Sequence, residues 1–253
     1  MKEAILITSF GTTHQDTLEK NITAVENDVR AAFPGIECRR AFTSGIVRKR
    51  LKEKYGVETD SVGEALERLA ADGYSHVIVQ PTLLIPGEEY DLLREGVFSH
   101  AGDLTVSIGF PLLWDDRDIS TLAEILTSSY PVDDDTVLVA MGHGTSHSAD
   151  LIYDRLAKTL EGKKTEICTV EGSRDFKQTV SKLCRGPYRK AHLVPLLLVA
   201  GDHSKNDMAS GSPDSLRGML EAEGFTVTFS LKGLGEIPAV RQLYIDRIRS
   251  IKG

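Results

Sequence analysis

Two histidines and a glutamate carry the chemistry that this sequence can be read for. His143 stands in Gly142-His143-Gly144-Thr145-Ser146-His147, directly after the apolar run Val137 to Met141. Glu171 follows the stretch 166–170, and His203 follows 192–199 in Gly201-Asp202-His203-Ser204-Lys205-Asn206-Asp207. Apolar runs of this length read as buried strands, and the ends of parallel strands meet at one sheet edge. That edge is where open α/β sheets bind ligands. Two imidazoles and a carboxylate are a usual donor set for a first-row divalent metal, and nitrogen and oxygen donors rank iron, cobalt, nickel and zinc without choosing among them. An imidazole, with its ordinary pKa of about 6.5, can also accept a proton near neutrality. Taken singly, each residue has a plainer reading: a loop histidine making hydrogen bonds, a carboxylate capping a helix, a solvated histidine. Their common place after three strands favours a shared site.

The elements that would hold these residues alternate. Ala4 to Phe10 reads as a first strand, followed by a helix with Leu18, Ile22, Val25 and Val29 on one face and a stop at Pro34-Gly35. Then come a strand near 37–42, a basic helix including Arg48, Arg50, Lys52 and Lys54, an amphipathic helix with Val62, Ala65, Leu66 and Leu69, and a strand from His76 to Leu84. A Gly87-Glu88-Glu89-Tyr90 loop, a helix, a strand near 104–108 and a helix near 119–128 end the first half. Strands alternating with helices predict an α/β protein with parallel sheets covered on both faces. In the second half a helix is expected to begin near His147, capped by Thr145 or Ser146, with Leu151, Leu156 and Leu160 on one side.

Past the polar break Asp133-Asp134-Asp135 the same grammar starts again. Residues 6–14 lie over 139–147, matching Gly11 to Gly144, Thr12 to Thr145 and His14 to His147; 42–45 lie over 169–172, and 81–89 over 195–203. The prediction is two similar lobes, 1–131 and 132–253, facing each other across a cleft. The halves differ at three telling positions: Phe10, Ser44 and Glu89 in the first become His143, Glu171 and His203 in the second. The metal chemistry therefore belongs to the second half alone.

Composition sets the outer bounds. The 253 residues are 41% hydrophobic with a formal charge of -7, enough apolar content for a sizeable core and too acidic for nucleic acid as the main partner. The first apolar run is too short to span a bilayer and no charged leader with a cleavage site precedes it, so the expectation is a cytoplasmic protein without a membrane partner. Cys38, Cys168 and Cys184 show no paired spacing and are expected as reduced thiols. His147 and His14 occupy equal repeat positions, which favours a structural role, and Trp114 is expected in the core.

The Gly142-His143-Gly144-Thr145 turn, Glu171, and Gly201-Asp202-His203-Ser204, with Ile5 to Thr12 at the start, resemble the class II chelatases, nearest to the anaerobic sirohydrochlorin cobaltochelatases of the CbiK type. The resemblance runs through essentially the whole chain. It implies a bilobal chelatase-like fold, each lobe with a parallel four-stranded sheet flanked by helices, and ATP-independent insertion of Co2+ into sirohydrochlorin in cobalamin biosynthesis. It also implies His143, Glu171 and His203 as metal ligands, with His143 the proton acceptor. Phe10, Leu84, Glu89, Met141 and Gly142 are expected to contact the macrocycle, and Arg48, Arg50, Lys52 or Lys54 to meet its carboxylates. No tightly bound cofactor is expected, cobalt being the substrate metal; a homo-oligomer is left open. The alternatives are an iron or nickel chelatase, or a non-catalytic metal or tetrapyrrole carrier. A histidine phosphatase is disfavoured because Gly142 stands where such enzymes place an arginine.

Overall fold

The computed structural model describes residues 2–252 and divides into two units. The first runs to Trp114 and takes in the chain again from Pro238; the second is Asp115–Ile237. In the first unit, strands β1 (Glu3–Ser9), β2 (Glu37–Phe42), β3 (His76–Pro81) and β4 (Thr105–Ile108) form a parallel sheet in the order β2-β1-β3-β4. In the second, β5 (Thr136–Gly142), β6 (Thr165–Thr169), β7 (Lys190–Pro195) and β8 (Thr226–Phe229) repeat that order as β6-β5-β7-β8. The middle strands β1 and β5 are buried after their first residue, because helices cover both faces of each sheet, and the buried polar residues within them, Thr8 and Ser9 of β1, lie at the strand's end. On one face of the second sheet, Val137, Val139 and Met141 pack with Cys168, Leu193, Leu216 and Leu220. Burial also pushes the Cys168 thiol up, in keeping with a reduced and inert side chain.

The helices of the first unit are α1 (Gln15–Thr17), α2 (Ala24–Ala32), α3 (Gly45–Tyr55), α4 (Val62–Ala71) and α5 (Glu88–His100), with a π-helical stretch, Leu18–Thr23, between α1 and α2. Ile22, Val25 and Val29 are fully buried, as their spacing predicts, and Pro34 follows the end of α2. The Ser61 side chain and Glu64 form a capping box that starts α4. The second unit is built with α6 (Asp116–Ser129), α7 (Leu151–Thr159), α8 (Phe176–Cys184) and α9 (Leu216–Ala222). The final helix, α10 (Pro238–Lys252), belongs to the first unit.

This division differs from a single cut at 131/132. The Asp116 carboxylate of α6 pairs with Arg155 of α7, placing that helix with the second sheet. The Tyr244 hydroxyl of α10 donates to the Thr82 carbonyl oxygen at 3.1 Å, and Arg241 pairs with Asp28 at 2.5 Å. Apolar periodicity gives the buried face of a helix but not the sheet that covers it, and α10 crosses back to the sheet its own half does not contain.

The repeat extends to individual hydrogen bonds. Thr43 and Ser44 N–H donate to the Ser9 and Phe10 carbonyl oxygens at 2.9 and 3.3 Å; Val170 and Glu171 N–H donate to Gly142 and His143 at 3.1 and 2.7 Å. Thr82 N–H to Thr8 and Leu196 N–H to Met141 are a second matched pair, at 2.8 and 2.7 Å. In the turns after β1 and β5, the Thr12 and Thr145 hydroxyls accept from the His14 and His147 N–H at 3.2 and 3.1 Å. Phe10 with His143 and Ser44 with Glu171 are thus equivalent in structure as well as in alignment.

Candidate functional site

The second sheet delivers its three chemistry-bearing residues from the carboxyl ends of β5, β6 and β7. His143 leaves β5 at Gly142, where a Cβ would lie 2.4 Å from the Tyr153 ring, so only glycine lets the strand end close on α7. Gly144 then turns the chain at φ +79°, and a Cβ there would stand 1.4 Å from the Glu171 carbonyl oxygen. That contact packs the two turns backbone to backbone and fixes the start of the loop that carries Glu171. Arg174 holds the far end of the same loop, donating to the Ile167 carbonyl oxygen at 2.9 Å while pairing with Asp154 and Glu166. His203 stands immediately before a π-helical turn, Ser204–Met208, that follows β7, and its side chain makes no capping bond there; π-helical turns are often found at functional sites.

The two imidazoles meet edge to face, with ring centroids 4.8 Å apart at an interplanar angle of 89°. His143 Nδ1 lies 2.9 Å from the Gly144 carbonyl oxygen. A carbonyl oxygen can only accept, so Nδ1 carries a proton, and in the neutral ring Nε2 holds the lone pair. His203 Nδ1 lies 2.7 Å from Asp207 Oδ2, and the carboxylate imposes the same tautomer. Both rings therefore offer Nε2 as a ligand atom, and both are half-buried. Glu171 is joined to His143 through its backbone, while its side chain is exposed at the tip of the turn. Among the described residues, no three His, Cys, Asp or Glu side chains are already gathered around one ion position. Two members of the expected trio are in mutual contact, and Glu171 is the one that would have to swing.

The residues expected to contact the macrocycle differ in exposure. Phe10 is 48% exposed at the end of β1. Leu84 is half-buried, and its carbonyl oxygen accepts from Leu113. Glu89 is exposed and accepts from the Thr43 hydroxyl at 3.3 Å. Met141 is fully buried in the core of the second unit, so its side chain is a packing element and presents nothing to a ligand. Gly142 is likewise buried and serves the approach of Tyr153. Burial pushes the Tyr153 hydroxyl up to about 12, against the opposing effect of the Gly144 and His143 backbone.

Three other expectations change. The glycine turn leads first into a 3-10 turn, Ser148–Asp150, ahead of α7, and it is capped by His147 itself, whose Nδ1 accepts from the Ala149 N–H at 3.1 Å; neither Thr145 nor Ser146 caps it. Leu151 is 63% exposed, and Ile152 and Tyr153 take the buried positions beside Leu156 and Leu160. Trp114 is 41% exposed and stacks on Phe110 at a centroid distance of 4.2 Å, so it is not a core residue. In the basic helix α3, Arg48 and Lys52 are paired with Glu64 and Glu58, as on a solvated face. Sequence reasoning missed Asp207, although a carboxylate four residues after a histidine is a recognisable helical pair.

The sequence model of the cobalt chelatase (CbiK) family matches residues 3–252. The chain belongs to the cobalt chelatase family. Among its relatives, the sirohydrochlorin cobaltochelatase of Salmonella typhimurium is 37% identical over 252 residues, covering 98% of this chain and 96% of that one. The sirohydrochlorin cobaltochelatase CbiKC of Nitratidesulfovibrio vulgaris is 34% identical over 254 residues, covering 98% and 89%. The solved structure of SirB from Bacillus subtilis with Fe3+ matches with a TM-score of 0.68 at 17% identity, covering 99% of this chain and 95% of that one, which shows a common fold. Two parallel four-stranded sheets flanked by helices are thus the chelatase architecture the resemblance implied.

Proposed function

We propose that this cobalt chelatase inserts Co2+ into sirohydrochlorin without ATP, releasing two protons, in anaerobic cobalamin biosynthesis. The observation that carries the reading is the pair of imidazoles 4.8 Å apart, each held through Nδ1 so that Nε2 is left to bind. His143 and His203 take the incoming ion through these nitrogens, and the Glu171 carboxylate turns inward to complete the set. Phe10 and Leu84, neither of them buried, are assigned apolar contact with the ring.

The proton balance follows from the tautomers. Nδ1 of His143 already carries a proton, so Nε2 can accept one only as its bond to cobalt breaks. A pyrrole N–H proton moves to that vacated nitrogen while the pyrrole nitrogen takes the metal, and a second proton leaves through Glu171 or water. Charge is conserved: Co2+ enters and two protons depart. Because the ion must move on, the protein site should hold it more weakly than the macrocycle does.

Such an enzyme works where its tetrapyrrole is made, and we assign it to the cytoplasm; among the described residues no helix is long and apolar enough to cross a membrane. The test is an optical rate assay with purified protein, metal-free sirohydrochlorin, and Co2+, Fe2+ or Ni2+ added separately against enzyme-free controls. Acceleration with Co2+ is the expected result. Acceleration with Fe2+ or Ni2+ alone would reassign the metal. Binding of ring and ion with no turnover would make the protein a carrier and overturn the reading.

A further inference from the structure

Asp150 lies between the two turns that carry His143 and Glu171 and is buried, the residue being 9% exposed. Burial of a charge is costly unless donors replace the lost water, and here three do. Oδ1 accepts from the Thr145 N–H at 3.1 Å, and Oδ2 accepts from both the N–H and the hydroxyl of Ser173 at 2.8 Å. Thr145 is two residues beyond His143 and Ser173 two beyond Glu171. The carboxylate is therefore tied symmetrically to the two loops, behind the residues that do the chemistry. Gly172 admits it closely: a Cβ at that position would meet Asp150 Oδ1 at 2.4 Å.

The first unit supplies an internal comparison. Its equivalent turns are joined by the same pair of backbone bonds, from Thr43 and Ser44 to Ser9 and Phe10. Thr17 occupies the place of Asp150, and its hydroxyl donates to the His14 carbonyl oxygen at 3.0 Å, within its own turn. The shared backbone bonds suffice to build that turn pair, so the fold does not require a carboxylate clamp. The clamp has been added in the half that bears imidazole and carboxylate in place of Phe10 and Ser44.

We propose that Asp150 is a positioning residue for metal insertion, setting the separation of His143 and Glu171 by locking their two turns together. This rests on the metal-site reading above. The site is a transient one, and a loose pair of turns would let Glu171 drift from the imidazoles and weaken the third ligand. Groups that orient metal ligands typically change affinity or activity by about 10- to 100-fold when altered.

The test uses the full-length protein with Co2+ alone, then with sirohydrochlorin, far below the melting temperature. In Asp150→Asn an amide N–H faces a donor and at least one clamp bond is lost. Expected are Co2+ binding weakened by about tenfold, a changed visible absorption band of the protein-bound ion, and a lower kcat. Ser173→Ala, which removes one hydroxyl and leaves the backbone donor, should show a smaller loss of the same kind, and it decides the matter if Asp150→Asn does not fold. A purely structural role would lower Tm and leave affinity, absorption band and kcat at wild-type values, and that result overturns the proposal. His143→Ala measured alongside separates the two levels: if it also binds and inserts Co2+ normally, the site reading has failed, whereas loss in His143→Ala with Asp150→Asn and Ser173→Ala unaffected overturns the clamp alone.

Discussion

His143→Ala is expected to lower the rate of cobalt insertion by about 100-fold or more, the range associated with loss of a positioned proton acceptor, and to remove a metal ligand as well. The change should leave the fold in place. His143 is half-buried, and its Nδ1 bond reaches only the carbonyl of the next residue, so the turn keeps the Val170 and Glu171 backbone bonds without it. The fitting control is His147→Ala, four residues on. That imidazole caps a helix start and should cost about 1 kcal/mol of stability with little change in rate. Initial rates from the tetrapyrrole spectrum, together with melting temperatures, distinguish the two. A His143→Ala protein that turns over at the wild-type rate would remove the proposed chemistry from this residue.

Gly144→Ala is expected to be the most damaging single methyl in the second unit. The added carbon would fall 1.4 Å from the Glu171 carbonyl oxygen, and the backbone would stay at φ +79°, where side chains are disfavoured. Strain and clash together should cost about 2–5 kcal/mol, and any protein that folds must part the two turns to do so. Activity should then fall further than stability explains, because the residues pushed apart are His143 and Glu171. Gly162→Ala isolates the backbone contribution: it has a similar φ, +76°, with nothing within 4 Å of the added carbon. About 1–2 kcal/mol is expected there, with wild-type insertion rates. Urea melts and rate assays on the two variants check the difference, and equal losses would mean that the clash at Gly144 is relieved without moving the Glu171 turn.

Much of the architecture was legible because a parallel sheet imposes a plain pattern. Strands such as 136–142 are apolar after their first residue, glycine and threonine recur at the turns after β1 and β5, and the repeat aligned residues that the structure holds by matching bonds. Strand ends located His143, Glu171 and His203 on one edge, but a strand end fixes a backbone position and not a rotamer; the rings of His143 and His203 touch while the Glu171 side chain faces solvent. Met141 shows the same limit: proximity to His143 in sequence places its backbone at the strand end, whereas the pleat turns its side chain into the core. The exchange of α6 and α10 between units, and the Asp150 clamp, depend on which distant segment supplies the partner. Apolar spacing and local motifs are silent on that.

The most direct test of the account is to locate the ion. Crystals of the protein with Co2+, measured at the cobalt absorption edge, should show an anomalous peak about 2.1 Å from Nε2 of both His143 and His203, with a Glu171 carboxylate oxygen turned in to join them. A cobalt ion held at other residues, with both of these imidazoles unligated, would contradict it.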